Sequence, residues 1–464
     1  MASRSDLPPQ EPPLTTVAPP HTAVPRAAGV RLRIREPQAL AALGTGVVLV
    51  VLLWLRALDG AAGAGPRLTE LGRLAGLLGS YAVVVLVVMM ARLPALERGI
   101  GADVLARWHA WGGRWTIGLL SAHALLITWG YALSTRTGVV PEVGTLLTHY
   151  PDVLAATVAL GLFLAVAGVS MRAARRRMAY ETWYWLHFYT YLATALAFAH
   201  AFANGSAFVD DLGARVFWSL LYAAAGLAVL WRFAEPVRLA LRHDVRVADV
   251  HPVAPGVVSL ELSGRDLDLL GATAGQFFRV RVLDRQGWWQ SHPYSLSAPV
   301  HPRQMRFHVR ALGDESARTA ALRPGARVAL EGPYGALTAD ALTRPKVLLV
   351  AAGIGITPVR ALFEELPGDV VAIHRASRRE DLVLREEMDL LARRPGHAVH
   401  HVVGHRGGPR DVTHAAGLRA LVPDVADRDV LVCGPGGFTA AVKAALRDAG
   451  VPDRQVHAES FALL

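Results

Sequence analysis

The 464-residue chain has a single cysteine, Cys433, and only two lysines, Lys346 and Lys443, among its 48 basic residues. One thiol excludes an intramolecular disulfide, a four-cysteine iron–sulfur cluster and a CxxCH haem attachment. Any haem must therefore be held non-covalently, by other side chains. Charged residues are scarce at 19% against 52% hydrophobic, too few for an ordinary soluble protein. The net charge of +10 invites a nucleic-acid reading, but the arginines cluster beside hydrophobic spans, where the positive-inside rule accounts for them. No nucleic-acid partner is implied. Internal repeats are absent. Residues 1–35 begin with a Pro-rich polar stretch that lacks the apolar core of a signal peptide and reads as a disordered cytoplasmic tail.

What the chain does have is long apolar runs. Six lie before residue 235, at about 38–56, 74–92, 107–131, 153–171, 183–202 and 215–233, each near the ~20 residues that cross a bilayer core. Nine of the eleven Trp fall in this half, several near span ends where interfacial belts form. Arginines crowd the N-terminal flank and the second and fourth connections (Arg92, Arg98, Arg107; Arg172, Arg175, Arg176, Arg177), and are fewer in the others. That bias puts the N-terminus and the C-terminal half in the cytoplasm, under a six-span helical bundle at 36–235 in the cell membrane. From about residue 240 to 342, apolar and polar residues alternate between Gly and Pro turns, as in antiparallel strands. From 345 to 464, apolar strands such as "KVLLVAAG" alternate with helical patterns, predicting a parallel α/β domain.

The third span carries His109 and His123, and the fifth carries His187 and His200. Each pair is separated by ~20 Å along its helix. The two spans run in one direction, so His109 faces His187 and His123 faces His200, and each facing pair could ligate one haem iron. Isolated packing histidines are the plainer reading, but four in two matched pairs argue against it. One spacing fits poorly: fourteen residues return within ~40° of the starting face, whereas thirteen leave ~140°. The fifth span must therefore be tightened or bent, or approach its haems at different angles. Arg114, inside the third span, suits a haem propionate or an ion pair equally well.

Three further stretches carry nucleotide chemistry. In "QSHPYSLSAP", His292, Pro293, Tyr294 and Ser295 put an aromatic ring and small polar groups at a strand end, where a flavin could stack. In "RFHVRALGDES", Arg310, Gly313 and Ser316 offer a cation, an amide and a hydroxyl to a pyrophosphate. "EGPYG", residues 331–335, reads as a tight turn. An apolar strand then runs into Gly353, Gly355, Thr357 and Pro358 and a helix, the context in which a glycine motif binds phosphate. After the next strand no acidic residue waits for a ribose hydroxyl. Arg375, Ser377 and Arg378 instead suit a 2′-phosphate and favour NADPH over NADH, although a solvated basic loop has the same composition. "VCGPGGF" ends a later strand with Cys433, Gly434 and Pro435 at the expected nicotinamide, where a buried structural cysteine is the ordinary alternative. Phe461 could cover a flavin ring or simply pack.

Together these features resemble the ferric reductase and NADPH oxidase superfamily. The histidine spacings resemble its haem ligands on the third and fifth spans, "HPYS" its flavin motif, and "GIGITP", "CGPGG" and Phe461 its nicotinamide elements. The resemblance implies a multi-domain chain: a six-span di-haem bundle, an antiparallel β-barrel for FAD and an α/β parallel-sheet NAD(P)H domain. It also implies two b-type haems and electron flow from cytoplasmic NADPH (NADH possible) to a small extracytoplasmic acceptor, ferric iron or chelate, or dioxygen. Phe461 and Cys433 would serve at the hydride-transfer site. The alternative is an electron-transfer subunit that donates to a periplasmic or extracellular partner protein.

Overall fold

A computed structural model describes residues 33–464 apart from 59, 61, 172–176, 179, 205–210, 286, 287, 312–317, 406, 409 and 461–464. The first half is helical: α1 (Glu36–Arg56), α2 (Ala64–Met89), α3 (Pro94–Ile100), α4 (Ala102–Thr135), α5 (Val139–His149), α6 (Val153–Ser170), α7 (Tyr180–His187), α8 (Tyr189–Asn204) and α9 (Leu212–His243). Among the described residues, five helices are long and apolar enough to cross a membrane. The fifth expected span is instead two helices, α7 and α8, joined at Phe188. There the Phe188 N–H donates to Trp185 O at 3.2 Å and the Tyr191 N–H to Phe188 O at 3.0 Å. These three-residue bonds tighten the chain locally, one of the departures from a straight helix that the thirteen-residue spacing left open. The short helices α3 and α5 lie in connections that the sequence pattern left blank. α9 runs ten residues past its expected end at 233, reaching His243.

Small residues bring α2 and α4 together. On α2, Gly65, Thr69, Gly72, Gly76 and Gly79 recur at three- and four-residue steps, on one face. A Cβ on Gly65 would stand 2.9 Å from Gly130 O, one on Gly72 3.0 Å from the Ile127 N, and one on Gly79 2.8 Å from Leu120. Backbones this close exchange dispersion contacts where lipid offers no hydrophobic drive, which is how small residues hold membrane helices.

The second half contains two three-stranded antiparallel sheets and one parallel sheet. The antiparallel sheets have orders β1-β2-β5 and β4-β3-β6: β1 (Arg246–Ala254), β2 (Val257–Ser263), β3 (Phe277–Val282), β4 (His292–Ser295), β5 (Gln304–Arg310) and β6 (Val328–Tyr334). Bridges at Arg246–Arg327 and Leu296–Phe307 join them along both edges. Leu260, Leu262, Phe278, Leu296, Phe307 and Leu330 fill the space between. The parallel sheet has the order β11-β10-β7-β8-β9, with β7 (Lys346–Ala352), β8 (Asp369–Ala376), β9 (His397–Val403), β10 (Asp429–Gly434) and β11 (Val456–Ser460). Helices α10 (Ile356–Glu365), α11 (Arg385–Leu391), α12 (Ala415–Leu421) and α13 (Gly436–Asp448) connect the strands. Strand order reverses between β7 and β10, where open α/β sheets bind ligands.

Candidate functional site

The four histidines come together in the expected pairs. The ring centres of His109 and His187 are 5.8 Å apart, and those of His123 and His200 are 6.4 Å apart. Two imidazoles that share one metal at bonds of about 2 Å need this spacing. The Nδ1 of His109 lies 3.3 Å from Leu86 O and that of His123 2.8 Å from Gly72 O, both carbonyls of α2. A ring that donates from Nδ1 keeps the Nε2 lone pair for a metal, the support usual behind ligating histidines. Gly76 makes room for His123, because a Cβ there would lie 2.5 Å from its Nδ1. The Nδ1 of His187 is buried and has no hydrogen-bond partner among the described residues. These donors fit haem iron. Arg114 does not join them: it is exposed on α4, between the exposed Trp111 and Trp115.

In the antiparallel module, His292 and Tyr294 stack nearly parallel at 6.2 Å and line a cleft with Val280, Val282, Gln290 and Thr319. The Tyr294 hydroxyl is 3.2 Å from Thr319 Oγ1, Pro293 pairs with Arg279, and Ser295 pairs with Phe277. Arg310 ends β5, with its Nη1 3.8 Å from where a Cβ on Gly353 would stand. Gly313, Ser316 and Phe461 lie outside the described residues.

The two glycine motifs meet at the sheet's switch point. Gly353 has φ +58, and a Cβ on Gly355 would stand 2.4 Å from Cys433 O and 2.9 Å from Gly434 N. The α10 N-terminus follows at once, with Pro358 in its first turn, and the Thr357 hydroxyl donates to Ile354 O at 2.8 Å. Pro435 caps α13. The Cys433 side chain, 1% exposed, packs with Leu349, Ala351 and Ile356. Burial pushes its thiol up, with Glu459 adding to the shift, so it lacks reactive thiolate character. Arg375 donates to Gly404 O at 2.9 Å and to Ser377 Oγ at 3.3 Å, while Arg378 pairs with Glu380 and Asp381. Gly355→Ala is expected to cost about 1–3 kcal/mol, because the neighbour is unyielding backbone. A lower melting temperature and weaker NADPH binding would register it.

The sequence reading missed the junction between the halves. Residues 331–334 of "EGPYG" end β6, and Glu331, 4% exposed, binds three arginines: Arg281 of β3 at 3.0 Å, Arg232 of α9 at 3.2 Å and Arg92 beyond α2 at 3.6 Å. Arg92 also lies 5.1 Å over the Tyr334 ring. Burial raises the Glu331 carboxyl, but Arg92, Arg232 and Arg281 outweigh it and hold the group below its ordinary range. On α3, Glu97 is buried and its Oε2 has no hydrogen-bond partner among the described residues. Burial pushes Glu97 up to about 7, against the pull of Arg92, Arg232 and Arg279 and with Glu331 reinforcing it. An acid raised in the folded state loses stability as pH climbs from its unfolded value through about 7. Relative to Glu97→Gln, the natural chain should lose roughly 3 kcal/mol between pH 5 and 8, read from paired denaturation curves. A second junction links the antiparallel module to the parallel sheet, where Arg306 and Arg360 share Glu387 at 2.7 Å each.

Comparison with known proteins follows these boundaries. Residues 75–198 match the family model described as ferric reductase like transmembrane component, 242–338 the FAD-binding domain, and 349–444 the oxidoreductase NAD-binding domain. A stachydrine N-demethylase reductase subunit of Rhizobium meliloti is 31% identical over 50% of this chain and 67% of its own length. The ferredoxin reductase component of a 3-ketosteroid-9-alpha-monooxygenase from Mycolicibacterium smegmatis is 35% identical over 42% of this chain and 57% of its own. Among solved structures, the flavohem-like FAD/NAD binding domain of nitric oxide dioxygenase from Vibrio cholerae aligns at 22% identity with a TM-score of 0.41. It covers 47% of this chain and 98% of that one.

Proposed function

Because the chain belongs to the ferric reductase and NADPH oxidase superfamily, and is an NAD(P)H-dependent oxidoreductase of the membrane, we propose that it moves electrons from cytoplasmic NADPH to an extracytoplasmic acceptor. The route is FAD and two b-type haems, and the acceptor is ferric iron, a ferric chelate or dioxygen. The observation that carries this reading is the two histidine pairs, 5.8 and 6.4 Å apart.

His109 with His187, and His123 with His200, would hold the two haem irons. Leu86 O and Gly72 O fix the ring tautomers of His109 and His123. His292, Pro293, Tyr294 and Ser295 would border the flavin of a barrel formed by the two antiparallel sheets, and Arg310 would serve its pyrophosphate; the family resemblance adds Gly313 and Ser316 to the pyrophosphate set and Phe461 as the ring's cover. Gly353, Gly355, Thr357, Pro358, Gly434 and Pro435 bring backbone close to the dinucleotide at the start of α10. Arg375, Ser377 and Arg378 would receive a 2′-phosphate and so distinguish NADPH. FAD supplies the conversion between two-electron and one-electron chemistry.

The test is NADPH oxidation in air by the full chain in nanodiscs with haem and FAD. A yield of about two superoxides per NADPH, the one-electron limit, identifies an oxidase. A low yield with fast oxygen-independent turnover on ferric chelates identifies a ferric reductase. Haems that NADPH reduces, but that pass electrons to neither acceptor, identify a partner protein as the acceptor. Haems that NADPH cannot reduce overturn the reading.

A further inference from the structure

We propose that the β3–β4 loop of the flavin module is a membrane anchor, seating Trp288 and Trp289 in the lipid headgroup layer beside the helical bundle. The loop displays Leu283, Trp288 and Trp289, 44%, 55% and 37% exposed, with Arg285 exposed beside them. Such a cluster is costly in water, and tryptophan beside arginine is the composition that interfaces favour.

The described residues of the loop, 283–285 and 288–291, are tied to the strands. The Leu283 N–H donates to Arg327 O at 2.9 Å, Asp284 pairs with Arg318 at 3.1 Å, and Trp288 O accepts from Arg281 at 3.2 Å. The two indoles meet edge to face at 5.9 Å. The exposed indoles are therefore presented by a fixed frame.

What lies against them follows from that frame. Arg281, which holds Trp288 O, also binds Glu331, and Glu331 binds Arg232 of α9 and Arg92 just beyond α2. Three hydrogen bonds in series thus tie Trp288 to the end of the bundle. Arg232 sits between the exposed Trp231 and Phe233, and Arg92 follows the last residues of an apolar span. These residues mark a membrane–water boundary. The loop is continuous with that boundary, so the occupant is the bilayer that holds the bundle. Arg285 adds attraction to anionic headgroups.

The experiment uses the full chain carrying Trp288→Cys, labelled with an environment-sensitive dye; native Cys433 is buried and stays unlabelled. The labelled protein is placed in nanodiscs of zwitterionic and anionic lipid, with or without headgroup-nitroxide lipid. Trp289→Cys repeats the measurement, and exposed Asp453→Cys serves as the aqueous reference. The expected result is at least about twofold quenching at 288 and 289, with a blue shift, as an interfacial position requires, and none at 453. Quenching at 288 and 289 no greater than at 453 overturns the proposal. Dye shielded from aqueous iodide only at high protein concentration, without nitroxide quenching, also overturns it, in favour of a second copy. The readout needs neither haem nor flavin, so its failure is distinct from failure of the electron-transfer reading.

Discussion

Replacing His123 with leucine is expected to halve the haem content of the purified protein, to about one haem per chain, and to abolish reduction of the extracytoplasmic acceptor. Losing a supporting contact behind a ligand already costs 10–100-fold in metal affinity, so losing the ligand should cost at least about 100-fold. NADPH oxidation by ferricyanide, which draws electrons at the flavin, should persist. That split separates loss of a ligand from loss of folding. Gly76→Ala should fall between the two proteins, since its Cβ would stand 2.5 Å from the His123 Nδ1 and displace the ring without removing it. Haem:protein ratio and the reduced spectrum measure both variants. A His123→Leu protein with two haems and unchanged spectra would refute the pairing.

The second large effect is expected at Glu331. Replacing it with alanine leaves Arg92, Arg232 and Arg281 facing one another without their shared carboxylate. Breaking a buried pair from one side costs about 3–5 kcal/mol, mostly for the charge left unpaired. Two of these arginines belong to the helical half and one to β3. The loss should therefore appear as faster hydrogen exchange at the α9–β1 connection, Asp244 and Val245, and as slower haem reduction by NADPH. Glu331→Asp should rescue part of both, because the charge is kept and only its reach is shortened. Unchanged exchange with unchanged reduction in Glu331→Ala would show that the cluster does not hold the halves together.

The sequence by itself determined the apolar spans, the change at about residue 240 from helical to strand patterning, the parallel α/β end, and the four histidines. Each is a periodicity or spacing written along one stretch of chain, and such signals survive without knowledge of neighbours. The thirteen-residue spacing also marked the fifth span as irregular, and that span is interrupted at Phe188. The glycine steps on α2 were also legible, as small residues at three- and four-residue intervals, had they been compared with α4. Tertiary structure alone decided the rest. Glu331 reads as part of a tight turn, and nothing near it in sequence announces arginines from residues 92, 232 and 281. Cys433 stands at a strand end, yet whether its side chain meets crevice or core depends on which face α10 covers. Arg114 is inside an apolar span, but only helix rotation turns it outward. Burial, charge partnership and facing are relations between distant segments, fixed when helices and sheets pack, and a linear pattern does not contain them.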